Sequence, residues 1–171
     1  MTEEPCTQEI NQVCDVADES LSGWAYWQFK TFEDLTTSAG TGSEGFWNQD
    51  GSLQDYKVKA LARSYLPYTQ GTLNKMKFDT NTSYLKANFT YSESTKDSET
   101  VLYLNQEYWY INGYELVIKK NDEPAKKIDT EKNRGNNYFR INVADELGAV
   151  DGDDITITVW AKRMDAVEVT Q

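Results

Sequence analysis

The run 23–30 reads Gly-Trp-Ala-Tyr-Trp-Gln-Phe-Lys, and four of its eight residues are aromatic. It ends in polar side chains at Gln28 and Lys30. Flat apolar rings beside hydrogen-bonding groups suit a sugar-binding cleft, because sugar rings present C–H faces to stack and hydroxyls to bond. Trp24 and Trp27 would serve equally as plain core, where large aromatics usually sit. Phe46 and Trp47 add two rings, either lining the cleft or covering an exposed end of the fold. The chain has no histidine, which removes Ser-His-Asp and Cys-His catalysis and the His-rich zinc sites. Any acid–base chemistry must fall to carboxylates.

The elements that would position these residues come in two styles. Over 7–21, Ile10, Val13, Cys14, Ala17 and Leu21 recur at helical spacing, with Asp15, Asp18 and Glu19 on the opposite face. The aromatic run is short and β-prone, so it predicts a strand. A loop spans 31–52 and closes on the turn Asn48-Gln49-Asp50-Gly51. A second helix is predicted over 53–66, with Lys57, Lys59 and Arg63 solvated and Pro67 as its stop. Helix–strand–helix is the grammar of an α/β layer.

From residue 72 the apolar period becomes two. Runs at 76–78, 84–91, 101–104, 109–111, 114–119, 138–143 and 154–161 predict about seven short strands, the number expected of an antiparallel sandwich. Asn112-Gly113 signals a hairpin, and Trp109 and Tyr110 beside it are candidate exposed aromatics or cross-strand core. The boundary is placed at 70–72, giving units 1–71 and 72–171. The fold class is α+β.

The 171 residues suffice for one ordinary domain or a small domain plus a fragment of another. Net charge is −11, which argues against nucleic acid and anionic membranes as partners. No run of apolar residues is long enough for stable membrane insertion, and the N-terminus has no basic start or apolar core of a signal peptide. Localisation is left open: secreted or lysosome-like if the full-length protein carries a signal peptide. Cys6 and Cys14 are either bridged or free. Asn81 and Asn88 head glycosylation sequons. Asp151-Gly152-Asp153-Asp154 reads as a turn, since its spacing does not fit a calcium loop. No metal or cofactor is expected.

The segments Trp24-Ala25-Tyr26-Trp27-Gln28-Phe29-Lys30, Asp34-Leu35-Thr36-Thr37, Glu44-Gly45-Phe46 and Asp50-Gly51-Ser52-Leu53-Gln54-Asp55-Tyr56-Lys57-Val58-Lys59-Ala60-Leu61-Ala62-Arg63 together resemble glycoside hydrolase family 5. They are most similar to its endoglycoceramidase and glucosylceramidase-related branch. The resemblance implies the last part of a (β/α)8 barrel, then a C-terminal Ig-like β-sandwich. It makes 7–21 the seventh helix, 23–30 the eighth strand and 53–66 the eighth helix. It implies that Glu3 matches the nucleophile at the end of the seventh strand, with Glu4 and Pro5 where the family has Phe and Gly. It further implies that Trp27 stacks on the sugar next to the cleaved bond and that Gln28 and Lys30 bond its hydroxyls. The family's acid/base Glu lies on a fourth strand this chain does not contain. The expectation is therefore the C-terminal part of a retaining glycosidase for glycolipids such as glycosphingolipids or another β-glucoside, inactive as an isolated chain, with the missing barrel portion upstream. The alternative is a non-catalytic β-sandwich module that binds carbohydrate or glycolipid, or that braces a barrel.

Overall fold

The computed structural model describes residues 3–30 and 45–163, with side chains from residue 7 onward. Of the expected loop over 31–52, residues 31–44 lie outside them. The chain divides into two compact units, Met1–Arg63 and Ser64–Gln171.

In the first unit, helix α1 (Glu3–Ser20) buries Ile10, Cys14 and Ala17, the stripe its spacing predicts. Val13 and Leu21, expected on the same face, are exposed. Helix α2 (Asp55–Leu61) is shorter than the expected 53–66. Its buried Ala60 joins Ile10 and Cys14 in a small core, with Tyr26, Tyr56 and Leu61 packed against it. The run 23–30 lies outside the named strands, and no ladder partner for it occurs among the described residues. A β-prone run becomes a strand only when a neighbour takes its backbone hydrogen bonds.

Two cations expected in solvent are buried. Lys57 donates through Nζ to the Gly45 carbonyl at 3.1 Å. The Arg63 guanidinium bonds Asp15 at 2.6 Å and Asp18 at 2.9 Å, which draws one side of the expected polar face of α1 inward. Cys14 is a free, buried thiol. It shares α1 with position 6, and eight residues of helix rise ~12 Å, too far for a disulfide.

The second unit is an antiparallel β-sandwich, as the alternating runs predict. One sheet has the order β1 (Tyr65–Tyr68), β4 (Thr100–Tyr103), β7 (Tyr138–Ile141). The other has the order β2 (Gly71–Asp79), β3 (Tyr84–Tyr91), β8 (Asp154–Ala161), β5 (Tyr114–Lys120), β6 (Lys126–Ile128). Their inner faces share one core, with Phe78, Phe89, Leu102, Leu116 and Ile157 fully buried. Every second residue of β3, β5 and β8 points into it, so a one-residue slip would turn each apolar set to water.

Three local expectations change. Tyr65 and Leu66 leave the expected helix and pair with β4, which moves the division from 70–72 to Arg63/Ser64. Pro67 is tolerated because β1 is an edge strand. Trp109-Tyr110-Ile111 form a turn, so the Asn112-Gly113 hairpin is absent. Asn105 builds that turn by accepting the Glu107 and Tyr108 N–H groups through Oδ1, and the Trp109 N–H through its carbonyl. Trp109 and Tyr110 are buried, Trp109 edge-on to Phe78. Third, 143–147 form a helix, α3 (Val143–Leu147). Asn142 caps it by accepting from the N–H groups of Ala144 and Asp145, and Gly148 closes it in the left-handed conformation.

Glycine is obligatory at Gly71, where the chain passes from β1 to β2. Its φ is +147°, and a Cβ there would sit 1.9 Å from the Thr90 carbonyl oxygen.

Candidate functional site

The candidate cleft residues gather in the first unit around the extended run that follows α1. Tyr26 stacks on Phe46 with ring centroids 5.2 Å apart and planes 13° from parallel. Phe29 meets Phe46 and Trp47 edge-on, each at 6.0 Å. The backbone holds these rings in register. The Phe46 N–H donates to the Phe29 carbonyl at 3.1 Å, and Trp47 bridges Leu53. The Gln54 side chain donates to the Trp47 carbonyl and accepts from the Tyr56 hydroxyl, tying the start of α2 to the same layer. Phe46 and Trp47 thus fold back onto the aromatic run and are partly buried.

Trp27 stands apart from that cluster, with 68% of its surface exposed. The peptide bond after it, to Gln28, is cis. Gln28 is buried, and its Nε2 has no hydrogen-bond partner among the described residues. A buried amide donor without a partner costs roughly 1–3 kcal/mol, a cost that an ordered water or a ligand at that point would remove. Lys30 is exposed. Glu3 is the first residue of α1, and its side chain lies outside the described residues. Its backbone is helical where the resemblance implies a strand end.

Within 27–30 lie one exposed ring, one buried amide whose Nε2 has no partner among the described residues, and one exposed lysine. A second feature adjoins it. An open apolar pocket of ≈180 Å³ is lined by Ile10, Val13, Cys14, Trp24, Tyr26 and Leu61. Burial raises the pKa of Cys14 there, with the Arg63 charge opposing, so the thiol is not primed as a nucleophile. Among the described residues no cluster of three acid, cysteine or histidine side chains could hold a metal ion, and no helix is long and apolar enough to cross a membrane.

Residues 63–159 match the glycoside hydrolase family 5 C-terminal domain. The chain belongs to that family. A curated endoglycoceramidase from Cyanea nozakii is 24% identical over 154 residues, which span 90% of this chain and 29% of the relative. Crystal structures of Cryptococcus neoformans sterylglucosidase 1 share the fold. The complex with hit 1 superposes with a TM-score of 0.62 at 15% identity, over 91% of this chain and 24% of that one. The complex with tris gives 0.58 at 14%. The chain therefore spans less than a third of the length of the proteins it matches. The family match covers the sandwich itself, residues 63–159, while the family resemblance carried by residues 24–63 lies in the first unit.

The aromatic run and its two partners on the following loop were legible as residue types. What sequence reasoning missed is the role of Lys57, which fixes Gly45 and so the rings after it. A lysine amid a polar helix face carries no local sign of burial.

Proposed function

We propose that this chain is the C-terminal part of a retaining glycosidase that cleaves O-glycosyl bonds of glycolipids such as glycosphingolipids, and that it works only with the rest of a (β/α)8 barrel. The observation that carries the reading is the exposed Trp27 ring beside the buried Gln28 amide, whose Nε2 has no partner among the described residues. The first unit supports it as well. Val13, Trp24, Trp27 and Phe29 are exposed around a core of few residues, which is how a piece of a barrel looks without its neighbours. The named relatives, an endoglycoceramidase and a sterylglucosidase, both act on lipid glycosides by their names.

In this reading Trp27 stacks on the sugar next to the cleaved bond, with Gln28 and Lys30 bonding its hydroxyls. Glu3 attacks the anomeric carbon to form the glycosyl–enzyme intermediate. Retention needs a second carboxyl about 5 Å away to protonate the leaving oxygen and then activate water. That group belongs to the missing barrel portion. The chain alone is inactive for this reason.

The test takes the native protein, with its intact mass measured, and assays fluorescent glucosylceramide and an aryl β-glucoside. The expected result is a species tens of kDa heavier than the 19.6 kDa of this chain, turning over with retention. Glu3→Gln abolishes turnover, and Trp27→Ala lowers kcat/KM by about 100-fold, roughly 2.7 kcal/mol of transition-state binding. A native protein inert on both substrates overturns the reading. So does turnover by the 171-residue chain alone that is lost on Glu3→Gln.

A further inference from the structure

Three tyrosines stand side by side across the three-stranded sheet. Tyr65 on β1 is the register partner of Tyr103 on β4, and Tyr103 is the register partner of Tyr138 on β7. Both adjacent ring pairs have centroids 5.4 Å apart, tilted by 40° and 62°. Their sequence neighbours Leu66, Leu102 and Phe139 point the other way, into the core. The row therefore lies on the outer face, where Tyr65 and Tyr138 are 41% and 46% exposed. Cross-strand aromatic pairs are ordinary as core. Three in a line on the outside of a sandwich leave ring surface exposed among the described residues.

The row runs into a pocket. Beside Tyr138 lies an open space of ≈220 Å³, lined among others by Asp129, Lys132, Asn136 and Arg140. Asn105 Nδ2 donates to the Tyr103 hydroxyl at 3.2 Å, which orients that ring's polar tip. The charges near the pocket are balanced in sign. Lys132 and Arg140 are set against Asp129 and Glu99, the last 3.8 Å from the Arg140 guanidinium. A site built for an anion would hold unopposed cations, and one built for a hydrocarbon chain would be lined by aliphatic side chains; this pocket has neither. A neutral polyol with one apolar face would meet what is present: rings to stack on, and donors and acceptors together at one end.

We propose that Tyr65, Tyr103 and Tyr138, with the polar pocket beside Tyr138, form a saccharide-binding site on the sandwich. A pyranose ring lies against Tyr138 with its hydroxyls in the pocket, and the next sugars continue along the row. The site is built from residues of the second unit alone and stands whether or not the hydrolase reading does. It also differs from the aromatics expected from the sequence, Trp109 and Tyr110, which are core.

The experiment is saturation-transfer NMR on the full chain with cellopentaose, xylopentaose and lactose as probes, followed by titration of the best one. The expected result is transfer from aromatic protons to sugar C–H protons, with saturable binding. Tyr138→Ala weakens it at least tenfold, Lys132→Ala severalfold, and Tyr138→Phe less than threefold because the stacking face remains. Near-UV circular dichroism establishes that each variant is folded, and the Lys132 variant removes no packed ring. Absence of transfer to all three sugars overturns the proposal. Binding that survives both Tyr138→Ala and Lys132→Ala overturns it too, as does binding lost only on Trp27→Ala.

Discussion

The Val143 N–H donates to Gln70 Oε1 at 2.8 Å, across 73 positions of chain. Gln70 is fully buried where the chain leaves one sheet for the other. Its amide also donates to Asn142 Oδ1 at 3.3 Å, and its backbone N–H donates to the Thr100 hydroxyl at 3.0 Å. One side chain thus fixes the first turn of α3 against the corner between β1 and β2. Gln70→Ala leaves the Val143 N–H buried without an acceptor. The expected loss is about 2 kcal/mol, read as a lower urea midpoint at unchanged slope. Gln70→Glu keeps the acceptor but loses the donor to Asn142, and is expected to fall between.

Acid should weaken the sandwich in part through Asp153. Its carboxylate accepts the Val150 N–H at 2.9 Å and the Asn121 amide at 2.8 Å. These bonds hold its pKa below the ordinary 3.8, the backbone bond foremost. A lowered value in the folded state means the contribution is complete above the ordinary pKa and is lost as pH falls through the folded one. Asparagine has one acceptor oxygen and cannot replace both bonds. Asp153→Asn is therefore expected to cost about 1 kcal/mol at pH 7. The gap to the parent protein should narrow as pH falls below the ordinary 3.8 and through the lower folded-state value. Denaturation curves for both proteins at pH 7, 5 and 3 check this. A gap that is constant with pH would sink the assignment.

The period-two runs at 84–91 and 154–161 were legible because each strand has one face in the core, and alternation records that directly. Residues 109–111 share the composition of a strand, but Asn105 offers their backbone a turn instead, and the aromatic side chains become core from that turn. The segment 65–68 was hidden by the opposite error. A helical spacing runs on from α2 through Tyr65, yet β4 supplies a ladder and takes it. Helix α3 did carry a signal, Asn142 before and Gly148 after, but five residues are too few to show a period. At the candidate site, Trp27 and Gln28 were visible as types. The tyrosine row was not, because Tyr65, Tyr103 and Tyr138 are far apart in sequence and become neighbours only through strand register.

Arg63 is the residue whose burial the sequence least suggests and the first unit most needs. Only 4% of its side chain is exposed, and it holds Asp18, itself nearly buried, at 2.9 Å and the half-exposed Asp15 at 2.6 Å. Both acids are on α1, and Arg63 follows α2, so this group links the two helices where apolar contacts are few. Removing the cation takes away the guanidinium paired with the nearly buried Asp18, a kind of change that typically costs 3–5 kcal/mol. Arg63→Ala is expected to release α1 while the sandwich remains folded, because the sandwich core contains none of these residues. Helical circular dichroism should fall, and near-UV signal from the sandwich tyrosines should persist. Arg63→Lys should rescue part of the signal, since both bonds leave one nitrogen, Nη2, and a lysine ammonium also carries its three donors on one nitrogen. The double variant Arg63→Met with Asp18→Leu should recover most of the helix signal, because it removes both buried charges at once. A single variant with unchanged helix content would show that the ion group adds nothing to the packing of α1.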